Sequence, residues 1–341
     1  DSLKAQGVEL TPAQQQELSE IAMSSVLDAA KLNQYTSFIG NILASRISSL
    51  WDFSGPAFTI SAEENSVFRC LDVAENLFLT SDVDAVIVAA VDLAGSVENV
   101  LLRNRFSQQA AGAKAGWTVG EGAGAVVVAR KQDAAQYPLN YASIDSVRFV
   151  PGTNADAINQ SASEAMNAAG VTAAAIDYLE LYSGGMGDEN QQELAGLSQA
   201  YTASDHCVVG SAKTNIGHTF AASGMASIIR TALCISDDFL PATANEKLAD
   251  ISLGATTFKK LNTSKAWSPA SSNSMRTAAI SGLGMDGNAA HVILSQAQRA
   301  MTSKPMGQEQ SEKKFGLVKS VVLGGRSIYD SIVNVESKTN L

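Results

Sequence analysis

Two seven-residue runs limit what this chain can fold into: AVIVAAV from Ala85 to Val91, and AGAVVVA from Ala123 to Ala129. A strand with one wet face alternates apolar and polar residues, because successive side chains point to opposite faces. These runs do not alternate, so each is expected to be a strand covered on both faces, in a sheet held between layers of helices. The pattern restarts after about Tyr137. Strands are expected near Ile144 to Val150, Ile176 to Tyr182, Cys207 to Ala212, Thr277 to Ser281 and His291 to Leu294, interleaved with alanine-rich helices. Two similar α/β halves are implied, about 1–137 and 138–297.

Ahead of the first run, Thr11-Pro12-Ala13-Gln14 has the form of a capping box with proline at the first helical position, which predicts a helix from about Pro12 to Lys31. A second helical stretch runs from Tyr35 to about Trp51. Gly55-Pro56 then breaks the chain before a short apolar strand, Phe58 to Ser61. Val67, Cys70, Leu71, Ala74, Leu77 and Phe78 form the apolar stripe of the next helix. From Gln298 to Lys314 the chain turns polar, so 298–341 is read as a surface linker and an extension, with an apolar piece at Phe315 to Val333.

Charge and cysteines exclude several classes. The 34 acidic and 24 basic residues give a net charge of −10 without basic blocks, so phosphate neutralisation has nothing to work with and nucleic acid is excluded as a partner. Cys70, Cys207 and Cys234 lie far apart, which argues against a disulfide framework or a cysteine-rich metal site and for a reducing, cytoplasmic setting. No metal is expected. No apolar run is long enough to cross a bilayer, so no membrane partner is expected either. The polar start at Asp1, without methionine or signal peptide, suggests a piece of something larger.

The chemistry should lie in three glycine-rich turns that occur in a fixed order: GEGAGA (Gly120 to Ala125), GSAKTNIGHTFAASG (Gly210 to Gly224) and SGLGMDGNAAHVIL (Ser281 to Leu294). Singly, each is only a place where the backbone turns tightly or is approached closely. Together they resemble the β-ketoacyl synthases of the thiolase superfamily, most specifically through Lys213-Thr214-Asn215-Ile216-Gly217-His218, and the likeness covers roughly Tyr35 to Ala297. It implies a thiolase-like fold of two similar α/β halves with layered helices and mixed sheets, whose opening glycine-rich strand ahead of Thr11 is absent.

The resemblance also implies a damaged site. In the family a cysteine at a helix N-terminus attacks the acyl thioester. Aligned from Gly55-Pro56, that position is Glu64, and a carboxylate is a poor nucleophile toward a thioester. The family's histidine followed by alternating glycine and threonine is replaced by a stretch around Ser183. His218 survives; two imidazoles normally act together, so it is read as a retained buried histidine of its loop. Lys213 is read as structural, paired with Glu193 or Asp188, and no catalytic set is intact. Cys70 sits too far along its helix to have a lowered pKa and is read as a core cysteine. His291 is read as packing and His206 as a surface cap. Met285 stands where the family has a phenylalanine that gates the acyl pocket.

Lost signatures on a retained scaffold are the pattern of chain-length factors, and Tyr35 to Phe68 looks most like the chain-length-factor domain of bacterial polyunsaturated fatty acid synthases. This implies a non-condensing subunit that pairs with an active ketosynthase in a heterodimer. Acyl chains would arrive on the phosphopantetheine of an acyl carrier protein, with no cofactor bound here. Phe38 and Ile42 would line the tunnel or the interface. A decarboxylase using His218 and Glu64, and a purely structural scaffold, remain as alternatives.

Overall fold

The computed structural model describes residues 10–26, 39–93, 95–103, 118–137, 139–185, 188–202, 204, 206–243, 253, 256–268 and 275–297. The chain divides into two units, Asp1–Ile60 and Ser61–Leu341. Phe38 and the stretch 298–341 lie outside the described residues.

The first unit holds two helices, Pro12–Val26 and Ile42–Trp51. Thr11 and Gln14 close the capping box reciprocally: the Thr11 N–H donates to Gln14 Oε1 at 3.0 Å, and the Gln14 N–H to Thr11 Oγ1 at 3.4 Å. The helix that reaches Trp51 begins at Ile42, with Asn41 as its N-cap; the expected start near Tyr35 lies outside the described residues. Asn41 turns its side chain to the returning segment, where its Oδ1 accepts from the Thr59 N–H at 2.8 Å. Phe58 to Ser61 is not a strand. Its apolar composition suits one, but among the described residues no neighbour offers it a ladder of hydrogen bonds.

The second unit is layered. Strands β1 (Ala85–Asp92) and β2 (Gly122–Ala129) pair antiparallel as a two-stranded sheet. A six-stranded sheet runs in the order β3 (Ser143–Pro151), β10 (Asn288–Ser295), β9 (Thr277–Leu283), β4 (Tyr178–Glu180), β5 (Val208–Gly210), β7 (Lys259–Lys260), while β6 (Phe239–Leu240) and β8 (Lys265–Ala266) form a separate pair. It is mixed: β9 is antiparallel to β10 but parallel to β4. The helices Ser66–Thr80 and Ser223–Ser236 lie between the two sheets and touch both. Val67, Phe68 and Leu71 of the first and Met225, Ile228 and Ile229 of the second share one core with Val88, Val147 and Ile280. On the far side of the large sheet, the helices Ala155–Ala169 and Glu189–Ala200 close a second core around Ile158, Leu179, Leu197 and Ile293.

Coverage on both faces holds for β9 and β10, which are buried almost throughout, but not for β1 and β2. Ile87, Val91 and Val127 stand about half or more exposed. The run of valines in β1 and β2 therefore reflects β-propensity as much as burial. No helix among the described residues is long and apolar enough to cross a membrane.

Candidate functional site

The site forms where three loops meet at the start of the helix Ser66–Thr80. A 3-10 turn, Glu63–Asn65, leads into this helix, with Glu63 in the left-handed region at φ +49. Asn65 ties the turn to the β9–β10 connection: its Nδ2 donates to Asp286 Oδ1 at 2.8 Å and to Asn288 O at 3.0 Å. Gly282 leaves room for the ring of Phe68, which a Cβ there would meet at 2.5 Å. Glu64 is thereby held inside the protein. Its Oε2 accepts the Met285 N–H at 2.9 Å, and its Oε1 lies 3.6 Å from Arg103 Nη1. Burial raises its pKa, while the Met285 amide and the Arg103 guanidinium pull the other way.

The second loop carries the hexapeptide. Lys213–Ile216 is one helical turn, ended by Gly217 at φ +75, where a Cβ would crowd Val119 O and Thr118 O. This close approach lets two glycine loops zip together. The His218 N–H donates to Thr118 O at 2.7 Å and the Gly120 N–H to His218 O at 2.9 Å. GEGAGA therefore runs into β2 and braces the hexapeptide, a task that needs glycine because a Cβ on Gly120 would strike Ile216 O.

His218 is buried and fixed at both nitrogens. Nδ1 accepts the Phe220 N–H at 3.0 Å, so the ring proton is on Nε2, which faces Tyr182 Oη at 3.2 Å. Burial and the charges of Lys213 and Arg103 push its pKa well down, so the ring is neutral. Its face stacks on Phe220 at 4.4 Å.

The third loop follows β4. Ser183 is buried there and sits at φ +45. Glu193 fixes this turn by accepting the Tyr182 N–H at 2.6 Å and the Ser183 N–H at 2.8 Å. Lys213 Nζ donates to Tyr182 O at 2.6 Å and lies 4.2 Å from the centre of its ring. Burial lowers the Lys213 pKa, and among the charges that oppose this Glu193 is foremost. Of the two acids expected beside Lys213, Glu193 is the buried one; Asp188 is exposed at the start of its helix.

Glu64, Lys213, His218 and Ser183 thus come together with Met285, a residue that is 53% exposed. Ile42 belongs to the first unit. Cys70 is partly buried against the core between the sheets, and burial raises its pKa. His291 is buried in β10 with Nε2 2.9 Å from Tyr201 Oη, its pKa pushed down to about 3 by burial. His206 does more than cap a strand: its Nε2 is 3.5 Å from Asp177. Sequence reasoning missed Arg103, Tyr182 and Phe220. Phe220 and Tyr182 each neighbour a motif residue, which was the available signal; Arg103 had none.

The chain matches two families, "Beta-ketoacyl synthase, N-terminal domain" over residues 6–134 and "Beta-ketoacyl synthase, C-terminal domain" over residues 142–247. Among curated relatives, a polyunsaturated fatty acid synthase chain of Thraustochytrium sp. is 33% identical over 302 residues, 81% of this chain and 14% of that protein. Among solved structures, "PfaC Keto synthase-Chain length factor" is 46% identical with a TM-score of 0.64, covering 88% of this chain and 29% of the other. An oxazolomycin ketosynthase domain of Streptomyces albus JA3453 is 25% identical with a TM-score of 0.66, covering 78% of this chain and 51% of the other. The chain spans under a third of the length of the first relative and of the first structure. The two zipped glycine loops, the mixed layered fold and these matches agree: the chain belongs to the β-ketoacyl synthase family, with the thiolase-like fold, and is similar to a keto synthase-chain length factor protein and to a polyunsaturated fatty acid synthase chain.

Proposed function

We propose that this chain is the non-condensing partner, a chain-length factor, of an active ketosynthase in polyunsaturated fatty acid or polyketide synthesis. The observation that carries this reading is Glu64. At the head of its helix stands a carboxylate, locked by the Met285 N–H and Arg103, where condensation needs a thiolate. His218, engaged at both nitrogens, supports the same reading over decarboxylation, because its Nε2 proton is already directed at Tyr182. Lys213 and Ser183 then serve the fold of the loop rather than chemistry, and Met285 borders the vestigial pocket.

In this reading the halves, about 1–137 and 138–297, form one ketosynthase-like unit working in the cytoplasm. Its partners are an active ketosynthase, in a heterodimer, and an acyl carrier protein whose phosphopantetheine brings the acyl chain as substrate. Phe38 and Ile42 would set where the growing chain stops. Co-expression of Phe38→Ala or Ile42→Ala with the active ketosynthase, followed by measurement of product lengths, tests this. Longer products are expected, since each buried methylene is worth about 0.8 kcal/mol. An unchanged distribution at undiminished activity, from an assembled heterodimer, refutes the tunnel role.

A further inference from the structure

Arg103, the last described residue of a helical stretch that starts at 97, touches four residues on three separate segments of the site. Nη2 lies 3.4 Å from Glu63 Oε2, and Nη1 lies 3.6 Å from Glu64 Oε1 and 2.9 Å from Met285 Sδ. The guanidinium carbon sits 4.2 Å from the centre of the Phe220 ring, which also stacks on the ring of His218. Only 16% of the side chain is exposed, so most of it fills interior space. A planar fork held by two carboxylates and a ring face is pre-organised and costs little further entropy to keep in place.

An acyl thioester that reached both the Glu64 position and His218 would need the volume taken by the Arg103 guanidinium and the Phe220 ring. We propose that Arg103 is a latch that shuts this degenerate site against acyl-phosphopantetheine groups. The proposal rests on the non-condensing reading above and adds a physical reason why acyl chains stay in the partner's site. The closure is steric and electrostatic together: the salt-bridged fork cannot swing out without leaving the buried Glu64 carboxylate unpaired.

The test is calorimetric titration of the purified chain with hexanoyl-pantetheine amide, in which an amide replaces the reactive thioester. Glu64→Gln keeps an acceptor for the Met285 N–H and leaves Arg103 on Glu63, Met285 and Phe220; it is expected to bind no better than the unaltered chain. Arg103→Ala combined with Glu64→Gln removes the latch without orphaning a buried charge. It is expected to bind at least about tenfold more tightly, the gain from burying two or so methylenes of the acyl group. Arg103→Ala alone should follow the double variant. Equal binding by the unaltered chain and the double variant, with the latter folded by circular dichroism, overturns the latch. A separate assay of the unaltered chain with acyl and malonyl thioesters keeps the two readings apart: no condensation leaves the non-condensing reading standing whatever the titration gives, whereas malonyl-dependent condensation overturns both.

Discussion

Glu193 should be the side chain whose loss is felt most widely in the site. It is buried, accepts two backbone N–H groups at 2.6 and 2.8 Å, takes a further hydrogen bond from Ser281, and supports the charge of Lys213. Glu193→Ala would leave two buried N–H donors without partners and a buried ammonium without its main counter-charge. Each orphaned donor costs about 1–3 kcal/mol, and taking the foremost opposing charge away from the buried ammonium adds to this. These overlap, so the variant should lose about 4 kcal/mol, or roughly 6 °C in Tm for a chain of this length. Denaturant and thermal unfolding followed by circular dichroism would measure it. Glu193→Leu with Lys213→Met should be less destabilising than Glu193→Leu alone, because no buried charge is then stranded. A Glu193→Ala variant within about 0.5 kcal/mol of the unaltered chain, in the range of a surface substitution, would refute the reasoning.

Other outcomes follow from single contacts. Glu189 has its pKa raised to about 8 by burial, with the charge of Glu64 as the next cause, against an ordinary 4.5. The folded state therefore binds more protons than the unfolded one across that window, so its contribution is present below about pH 4.5 and is lost as pH rises toward 8; unfolding of Glu189→Gln against pH should be flatter there, and identical slopes would contradict this. Gly120→Ala should cost about 1–3 kcal/mol by forcing the two glycine loops apart, read as a fall in Tm; a neutral result would deny that the loops are zipped. Asn154 caps its helix by accepting the Ala157 N–H at 3.0 Å, and Asn154→Ala should cost about 1 kcal/mol by denaturant titration. On the proposed reading, Glu64→Cys should not restore condensation, because the stretch around Ser183 offers no histidine to act with the thiol; malonyl-dependent extension by this variant alone would sink the degenerate-site reading.

Local rules in the sequence were legible where they act within a few residues. The Thr11–Gln14 capping box and the strands β3, β9 and β10 follow from short-range spacing, and the structure has them. Phe58 to Ser61 was misread because a strand needs a neighbour, and apolar composition does not supply one. Ile87, Val91 and Val127 were misread because an unbroken apolar run cannot reveal which layers lie against it. In the site, the family motifs marked Lys213, His218 and Glu64. The residues that fix their state come from other elements. Arg103 reaches Glu64 from 39 positions away in sequence, and Tyr182 meets His218 from 36 positions away. Such contacts are set by the packing of loops, which no local pattern records.

The most direct test of the account is the mass of the intact chain after incubation with an acyl carrier protein charged with a thioester, alone and beside the active ketosynthase partner. The account predicts no acyl adduct on this chain in either case, with the acyl group appearing on the partner's cysteine and condensation with malonyl carrier protein requiring that partner. A stoichiometric acyl adduct on this chain, or malonyl-dependent extension by the chain alone, would contradict it.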